Sequence, residues 1–495
     1  METREELNAQ AEALLAKLPP AAELKAPQRM AIPQQPMPAQ DPKERIRNNH
    51  EVAIGYTEAQ ARLEALRCLQ CPTKPCVAGC PVGIDIPAFI RAIAEGKDSE
   101  AIGIIKQTSL LPSVCGRVCP QERQCMKGCT VGKINKDVGK AVAIGRLERF
   151  VADKERETGS VVPPAVAAPT GKKVAVIGSG PASLAFACDA RRAGHDVTIF
   201  EALQKSGGVL SYGIPEFRLP KDIVQKEVEN LQSMGVTIRN DFIVGRSRPL
   251  KRLFEKDGFD AAFIGSGAGL PRFMGIEGEN LIGVFSANEY LTRANLMRAY
   301  DTEHADTPFY HAKRVAILGG GNVAMDAART ALRLGAESVQ LFYRRTMGEM
   351  PARAEEIEHA KEEGVEFNLL RNPVRILGDE NDIVRGMEVL CYELGEPDAS
   401  GRRSPVAVKG SEYEVEVDCV VVAIGNSSNP LLPSTTPELK TNVRGNILVD
   451  ENHETSMRNV YAGGDIVLGA ATVILAMGEG RAAAKAMNER LAGER

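Results

Sequence analysis

The sequence lacks any run of about 18 consecutive apolar residues, and residues 1–30 lack a basic segment followed by an apolar one. These absences predict a protein without membrane insertion or a secretory leader, and hence a cytoplasmic location. A strong charge of one sign is also missing, because 61 basic residues stand against 65 acidic ones, for a net charge of −4. This balance gives no reason to expect nucleic acid as a partner.

The composition is that of a soluble globular protein. At 495 residues, with 43% hydrophobic and 25% charged residues, the chain is expected to form about three domains. It has eleven cysteines, and eight of them lie between Cys68 and Cys129. The other three, Cys188, Cys391 and Cys419, stand alone in apolar surroundings, which predicts ordinary core residues.

The eight clustered cysteines have an informative spacing. They form the patterns Cys68-x2-Cys71-x4-Cys76-x3-Cys80-Pro81 and Cys115-x3-Cys119-Pro120-x5-Cys125-x3-Cys129. Structural zinc sites favour paired C-x2-C units, and disulfide frameworks belong to short secreted chains. Gaps of three to five residues, with proline directly after two of the cysteines, are typical of iron-sulfur segments in which neighbouring cysteines serve different clusters. Two [4Fe-4S] clusters are therefore favoured over zinc or disulfides.

Residues 174–201 form a strand-turn-helix-strand unit with a glycine-rich turn. Gly178 permits the tight turn, and Gly180 allows the backbone to approach a pyrophosphate at the helix N-terminus. Ser183 replaces the third glycine of the usual fingerprint but is still small. Glu201 ends the second strand, where a carboxylate can accept from a ribose 2′-hydroxyl. Dinucleotide binding is favoured over a purely structural turn.

A second fingerprint begins at Arg314. A strand to Leu318 leads into GGGNVA from Gly319, then a helix and another strand that ends in Arg344-Arg345 instead of an acid. An arginine pair there suits a 2′-phosphate, so NADP(H) is favoured over NAD(H). The alternative is a solvated strand end with two surface arginines.

Further segments combine with these fingerprints: GSGPAS from Gly178, EALQKSGGVLSYGIPEFRLPK from Glu201, GGGNVAMDAAR from Gly319, YRR from Tyr343 and YAGGD from Tyr461. Together they resemble the family of the small (β) subunit of NADPH-dependent glutamate synthase. Within it, they are similar above all to the large subunit of NADH-dependent reduced ferredoxin:NADP oxidoreductase and the α subunit of sulfide dehydrogenase. The N-terminal region of dihydropyrimidine dehydrogenase is also similar.

This resemblance and the two fingerprints imply an α/β fold. An α-helical domain with two [4Fe-4S] clusters precedes two Rossmann-like dinucleotide-binding domains, the NADP domain being inserted in the FAD domain. The predicted order is an N-terminal arm (1–45), a helical iron-sulfur domain (46–160), a linker (161–171), the first segment of the FAD domain (172–285), the NADP domain (286–428) and the second segment of the FAD domain (429–495). In the arm, Leu7 and Leu14 are among the leucines partly on one face of a helix over residues 4–18; a frayed helix is favoured there over a short docking helix, and an extended stretch is expected over 19–42.

The resemblance also implies the residues that hold the cofactors. One cluster would be held by Cys68, Cys71, Cys76 and Cys129, and the other by Cys80, Cys119, Cys125 and Glu148, with Cys115 left over. FAD would contact Gly178, Gly180, Pro181, Ala182, Ser183, Glu201, Gly208, Arg218, Val244, Gly464, Asp465, Thr472 and Val473. NADP(H) would contact Gly320, Gly321, Asn322, Val323, Arg344, Arg345, Ala423, Ile424 and Gly425. Arg218 is predicted to lie near the flavin ring and stabilise an anionic reduced flavin. A surface salt bridge is the alternative.

The function expected from these features is a subunit of an NAD(P)H-dependent flavin/iron-sulfur oxidoreductase, in a hetero-oligomer. Electrons would pass between NADP(H), FAD and the clusters to a partner subunit or to ferredoxin. One hypothesis is electron bifurcation between ferredoxin and NAD with a smaller flavin/[2Fe-2S] subunit. A second is the NADPH-oxidising small subunit of glutamate synthase, and a third is a non-catalytic electron relay. Disulfide reduction is not expected, since no cysteine pair follows the first fingerprint.

Overall fold

The computed structural model describes residues 2–159, 161, 163–399 and 401–493. Residue 1 of the predicted arm, residues 160 and 162 at the predicted linker, residue 400 in the NADP domain and residues 494–495 of the last predicted domain lie outside the described residues. Among the helices described, none is both long and apolar enough to span a membrane.

The N-terminal third of the chain is helical. Its helices are α1 (Arg4–Leu15), α2 (Ala26–Ala31), α3 (Pro42–Arg45), α4 (Glu58–Leu66), α5 (Pro75–Ala78), α6 (Ile86–Ala94), α7 (Asp98–Lys106), α8 (Pro112–Val118), α9 (Cys125–Gly128), α10 (Thr130–Ile134) and α11 (Ile144–Glu157). Short 3-10 turns cover Gln121–Arg123 and Val138–Lys140. Thr57 and Gln60 form a capping box at the start of α4, and Asp85 caps α6, so the helix starts are fixed locally.

The segment expected to be a frayed, extended arm is folded onto this helical domain. Helix α1 begins with a complete capping box formed by Thr3 and Glu6. Its buried Leu7 and Ala11 face inward, and Ala11 joins a small apolar cluster that includes Leu63 of α4. Burial of this apolar face holds the segment in place.

The first dinucleotide-binding domain contains a parallel five-stranded sheet. The order of its strands is β16 (Val460–Ala462), β4 (Ala261–Ile264), β1 (Lys173–Ile177), β2 (Asp196–Phe200) and β3 (Thr237–Arg239). Its first segment consists of β1 (Lys173–Ile177), α12 (Pro181–Arg192), β2 (Asp196–Phe200), α13 (Val209–Tyr212), α14 (Lys221–Ser233), β3 (Thr237–Arg239), α15 (Leu250–Glu255), β4 (Ala261–Ile264) and β5 (Leu270–Pro271). The strands β1 and β4 are apolar and almost wholly buried, as strands covered by helices on both faces require.

The second dinucleotide-binding domain contains another parallel sheet, in the order β6-β14-β7-β8-β9. Its elements are β6 (Val284–Ser286), α16 (Ala287–Asn295), β7 (Arg314–Leu318), α17 (Asn322–Arg333), β8 (Ser338–Tyr343), α18 (Ala354–Glu362), β9 (Glu366–Leu369), β10 (Arg371–Gly378), β11 (Val384–Pro397), β12 (Arg403–Ala407), β13 (Tyr413–Glu416) and β14 (Cys419–Val422). A 3-10 turn covers Met347–Glu349. Strands β10 to β13 form a separate antiparallel sheet, which the sequence did not predict.

The chain then returns to the first sheet. The remaining elements are β15 (Asn426–Ser427), α19 (Leu431–Thr435), β16 (Val460–Ala462), α20 (Asp465–Leu468) and α21 (Val473–Gly493). Strand β16 pairs with β4, so the second domain is inserted into the first, as predicted. The two crossings between the domains, β5 and β15, pair antiparallel with each other.

A buried network of charges joins the N-terminal segment to the second domain. We call residues 40–55, which run along this junction, the N-terminal strap. The fully buried Arg45 lies with its Nε 2.7 Å from Oε1 of Glu363, which also pairs with Arg329 and Arg333 at 2.8 Å. The strap also bonds the first domain, because the Val52 amide donates to the Phe217 carbonyl at 2.9 Å. The strap therefore connects both dinucleotide-binding domains to the helical domain.

We expect Arg45→Met to lower the free energy of unfolding by about 3 kcal/mol. Removing one partner of a buried ion pair costs about 3–5 kcal/mol, and Glu363 still retains two arginines, which places the effect at the low end. The measurement is the urea midpoint by circular dichroism. Arg47→Met, at an exposed position in the same strap, is the control and should match the native protein. Equal midpoints for the two variants would contradict the structural role of Arg45.

The network also predicts a pH dependence of stability. Burial alone would raise the pKa of Glu363, but the charge of Arg329 and hydrogen bonds from Arg329 and Arg333 lower it to about 2. A carboxyl with a depressed pKa adds stability that is complete above its unfolded pKa of about 4.3 and is lost as the pH falls towards 2.

Glu363→Gln should therefore destabilise the protein by about 3 kcal/mol at pH 7, with the difference shrinking below about pH 4.5. Urea midpoints measured from pH 7 to pH 3 test this. Glu358→Gln, which changes an exposed carboxylate of α18, the helix that Glu363 caps, is the control. A difference between Glu363→Gln and the native protein that stays constant across this range would rule out the charge as its cause.

Candidate functional site

The first glycine-rich turn has the geometry of an anion cradle. Gly178 has φ +93°, and a Cβ on it would lie 2.6 Å from the carbonyl oxygen of Gly265, so only glycine fits. Gly180 precedes α12, and a Cβ there would meet no atom within 4 Å, so the backbone is open for approach. The first-turn amides of α12, which begins with Pro181, Ala182 and Ser183, have no acceptor inside the helix.

Ser183 stands where the usual fingerprint has its third glycine. Its side chain fits because Gly265, which faces it, has no side chain. Its side chain is fully buried, and its hydroxyl lies 3.4 Å from the Gly265 carbonyl oxygen. A Cβ on Gly265 would collide with the Ser183 hydroxyl. The loss of one glycine in the helix is thus compensated by another at the end of β4.

Glu201 is buried at the end of β2 and is held rigidly. Its Oε2 accepts from the Ser179 hydroxyl, and its Oε1 accepts from the Leu203 amide at 2.8 Å. The Ser179 hydroxyl in turn accepts from the Gly207 amide at 2.9 Å. Each carboxylate oxygen keeps a lone pair for a further donor, such as a ribose hydroxyl. Val244, also predicted to contact the cofactor, is buried in the apolar cluster that contains Phe200 beside Glu201.

The last segment of the chain completes this site. Gly464 has φ +79°, and a Cβ on it would lie 2.9 Å from Cβ of Ala182, so the two turns meet. Gly208, with φ +57°, likewise lies against Gly180. Burial raises the pKa of Asp465 to about 6, and its Oδ1 accepts from the Ala471 amide at 3.2 Å.

Arg218 lies in a buried network of carboxylates. Its Nη1 lies 2.6 Å from both carboxylate oxygens of Asp326 on α17, and its Nε lies 3.4 Å from Glu356 of α18. Burial opposes its charge, but these carboxylates raise its pKa above the usual value. The structure therefore gives Arg218 a role as a buried link between the two dinucleotide-binding domains. A contact with the flavin stays a prediction.

The second glycine-rich turn repeats the first. A Cβ on Gly319 would collide with the Ala423 carbonyl at the end of β14, and one on Gly320 would lie 2.8 Å from the Tyr343 ring. Gly321 precedes α17 and is open. Asn322 accepts through its side chain from the Arg353 amide at 2.9 Å. The predicted contacts Val323, Ala423, Ile424 and Gly425 lie around this turn, with Val323 and Ile424 exposed.

The two arginines after β8 have different surroundings. Arg345 is buried: its Nε donates to the Arg403 carbonyl at 2.7 Å, and its Nη2 lies 2.7 Å from Asp398. It therefore fixes the antiparallel sheet to β8. Arg344 is exposed and has no hydrogen-bond or ion-pair partner among the described residues. Of the two, Arg344 is the one free to bind a 2′-phosphate.

The cysteines lie in two groups in the structure. Burial, with a smaller contribution from the nearby sulfurs of Cys129 and Cys71, raises the pKa of Cys68 to about 11. Cys76 has the same kind of neighbours, because Cys68 and Cys129 add to the effect of burial on its pKa. These four cysteines line one cavity with Thr130. They form the first cysteine set.

The second set surrounds Glu148. Burial raises the pKa of Cys125 well above its usual value, and the nearby Cys119, Glu148 and Cys80 add to this effect. Burial alone raises the pKa of Glu148 to about 8. Its Oε1 is buried without a hydrogen-bond partner among the described residues. An orphaned carboxylate oxygen beside three thiols fits a fourth ligand of an iron-sulfur cluster.

Helices α5 and α9 interlock to build both sets. A Cβ on Gly128 would overlap the Pro75 carbonyl oxygen, and one on Gly79 would lie 2.7 Å from the Gln124 carbonyl oxygen. The two backbones can approach this closely only because both positions are glycine. The approach brings the start of each helix to the end of the other, Cys76 beside Cys129 and Cys80 beside Cys125.

All eleven cysteines are free thiols. Within the described ranges, no three or more Cys, His, Asp or Glu side chains converge on a point suited to one metal ion.

Sequence reasoning missed three groups beside the cysteine sulfurs. The Thr130 hydroxyl lies 3.1 Å from Cys71 Sγ, and Gln70 Nε2 lies 3.4 Å from Cys68 Sγ. Cys115, expected to be a leftover, is buried and hydrogen-bonded to Cys119. Their position in the sequence could have identified these three residues. Each lies within two residues of a predicted cluster ligand, or one helical turn away from such a ligand. Hydrogen bonds to ligand sulfurs are a known means of setting cluster potentials.

The second cysteine set lies at the boundary with the first dinucleotide-binding domain. Gln124, next to Cys125, lies with its Nε2 3.4 Å from the hydroxyl of Thr472, the predicted contact that precedes α21. Val473, the other predicted contact there, begins α21 and packs against the apolar core of the helical domain. The helical domain and the first glycine turn are thus joined through the N-terminus of α21.

Comparison with known proteins places these features in two families. Residues 45–160 match the family described as dihydropyrimidine dehydrogenase domain II, 4Fe-4S cluster, and residues 172–487 match the pyridine nucleotide-disulphide oxidoreductase family. The glutamate synthase [NADPH] small chain of Escherichia coli is 38% identical over 440 residues, which cover 88% of this chain and 92% of that protein.

The chain is also similar to a further relative in sequence and to a solved structure. The NADP(+)-dependent formate dehydrogenase subunit beta of Moorella thermoacetica is 41% identical over 446 residues, which are 85% of this chain but only 60% of that subunit. Mycobacterium tuberculosis FprA, solved in complex with NADPH, shares the fold with a TM-score of 0.55 at 18% identity, over 65% of this chain and 85% of that one.

Proposed function

Because the chain belongs to the family of the glutamate synthase small subunit, we propose that it is the NADPH-oxidising subunit of an electron-transfer complex, with FAD and two [4Fe-4S] clusters. When bound, FAD supplies a two-electron acceptor for hydride that can release electrons singly, and the clusters carry single electrons. The observation that carries the proposal is the contact of Gln124 with Thr472, which joins the second cysteine set to the first glycine turn.

The residues of the chain supply binding, orientation and potential. We assign FAD to the first glycine turn, where the amides of α12 face the pyrophosphate and Glu201 accepts from the ribose. We assign NADP(H) to the second turn, with Arg344 at the 2′-phosphate. The link from Arg218 to Asp326 fixes the two sites relative to each other, which matters because hydride transfer requires close alignment of the two rings. No side chain of this chain needs to act as an acid or base in that transfer.

The proposal also concerns the protein that accepts the electrons. Among the described residues the fold identifies no further cofactor site, so we assign the acceptor to another protein, either a partner subunit or a carrier of the ferredoxin type. The small chain of glutamate synthase is the second candidate identity, favoured by coverage of 92% of the Escherichia coli protein. Bifurcation between ferredoxin and NAD with a flavin/[2Fe-2S] partner is the third possibility to be tested. Co-purification from native lysate separates these alternatives by the cofactors of the partner.

An anaerobic titration tests the proposed function. The purified chain, reconstituted with FAD and clusters, is titrated with NADPH and separately with NADH while flavin and cluster absorbance are recorded. We expect stoichiometric bleaching of both chromophores by NADPH and a much weaker response to NADH. If NADPH fails to bleach a fully loaded flavin, the second turn is not a working nicotinamide site, and the chain is an electron relay.

A further inference from the structure

A group of exposed lysines lies directly beside the first cysteine set. Residues 127–140 contain Lys127, Lys133, Lys136 and Lys140 and a single acid, Asp137. All four lysines are exposed, and none of them has an ion-pair partner within the portion of the chain that the structure describes. We call them the lysine patch. Their local excess of positive charge is opposite in sign to the net charge of −4 of the whole chain.

The lysine patch is adjacent in the chain to the more accessible of the two cysteine sets. Cys129 lies between the first two of these lysines in the chain, and Thr130 contacts Cys71 at 3.1 Å. Cys71 and Cys76 of the first set are only partly buried and Cys68 and Cys129 are buried, whereas Cys80 alone of the second set is partly buried. The second set is the one joined to the first dinucleotide-binding domain. Of the first dinucleotide-binding domain and the two cysteine sets, the first set is therefore the one at the surface end.

An apolar side chain lies within the patch. Ile134 of α10 has 53% of its surface exposed, next to Lys133 and near Lys136. An exposed apolar residue rimmed by charges of one sign is typical of a small transient interface, and redox partners use small interfaces of this kind. Unpaired lysines also lose no internal ion pair when an acidic protein approaches.

We propose that the lysine patch docks a small acidic one-electron carrier protein, which exchanges electrons with the cluster held by Cys68, Cys71, Cys76 and Cys129. This inference rests on the proposed function. Each NADPH gives two electrons, so two oxidised carriers are each reduced by one electron while NADPH becomes NADP⁺ and one proton is released. Complementary charge speeds the encounter by about 10–10³-fold, and salt screens it.

The test compares two triple variants of the loaded full-length chain. Lys133→Glu/Lys136→Glu/Lys140→Glu reverses the patch, and Lys256→Glu/Lys409→Glu/Lys440→Glu makes the same change of net charge at exposed positions elsewhere. The probe is a small acidic [4Fe-4S] ferredoxin, reduced with NADPH at low and at high ionic strength. Reduction of a neutral quinone, which needs no protein docking, measures the basal activity of each variant.

We expect the patch variant to lose about tenfold or more in kcat/KM for ferredoxin at low salt, with quinone reduction unchanged and the salt dependence nearly abolished. The control variant should behave as the native protein. Equal ferredoxin kinetics in the two variants, or a native protein that reduces quinone but not ferredoxin, would overturn the docking proposal alone. A native protein that cannot reduce quinone with NADPH would instead overturn the proposed function.

Discussion

Gly128→Ala is expected to deprive the chain of both iron-sulfur clusters at once. The added Cβ would overlap the backbone carbonyl of Pro75, which cannot move away without separating α5 from α9. Each of these helices contains or adjoins a cysteine of each set, so displacement of one helix disturbs both ligand groups together. Iron content and the broad cluster absorbance should fall to near background after reconstitution, while FAD content should stay normal because the first glycine turn lies in a separate domain.

Gly103→Ala is the matched control for this experiment. Gly103 lies in α7 of the same helical domain, and a Cβ on it would meet no atom within 4 Å. Alanine is a better helix former than glycine by about 0.5–1 kcal/mol, so this variant should load both clusters and be slightly more stable. If Gly128→Ala retained one cluster while losing the other, the interlocked arrangement of α5 and α9 would be wrong.

Arg344→Ser should lower kcat/KM for NADPH by about 10–100-fold and leave the kinetics with NADH unchanged. A hydrogen bond to a charged group contributes about 1.5–3 kcal/mol, and every 1.4 kcal/mol is a factor of ten. NADH has no 2′-phosphate and so loses nothing. The measurement is initial-rate reduction of a quinone with each nucleotide, and Arg252→Ser, at an exposed position of the first domain, is the control.

The neighbouring arginine should give the opposite pattern. Arg345→Met removes the ion pair with Asp398 and the hydrogen bond to the Arg403 carbonyl, so we expect lower stability with similar losses for NADPH and NADH. If Arg345→Met altered the preference between the nucleotides and Arg344→Ser did not, the assignment of the two side chains would have to be exchanged.

Structural features that depend on a short stretch of backbone could be predicted from the sequence. The turns at Gly178 and Gly319 have recognisable patterns because their conformation depends on glycine itself, and the return of the chain to β16 followed from a strand ending at a glycine turn. Both predictions are confirmed by the inserted arrangement of the two sheets.

The features that could not be predicted depend on contacts between distant residues. Asp326 neutralises Arg218 from 108 positions away, and Asp398 binds Arg345 from 53 positions away. No local pattern marks such a pair. The glycines that interlock α5 and α9 were equally hidden, because Gly79 and Gly128 look like ordinary residues of cysteine-rich loops. The sequence likewise could not decide whether the apolar face of α1 is docked, since its partners lie in α4.

The ion pair between Arg45 and Glu363 has a consequence for the order in which the chain matures. The two residues are 318 positions apart, so Arg45 leaves the ribosome long before its partner exists. At about 5–20 residues per second, the wait is roughly 15–60 s. During that time the whole helical domain and the first four strands of the FAD sheet have been synthesised, while the strap has no carboxylate to bind. Closure of the strap is therefore a late event of biogenesis, and it sets the NADP domain in place against a helical domain synthesised well before it.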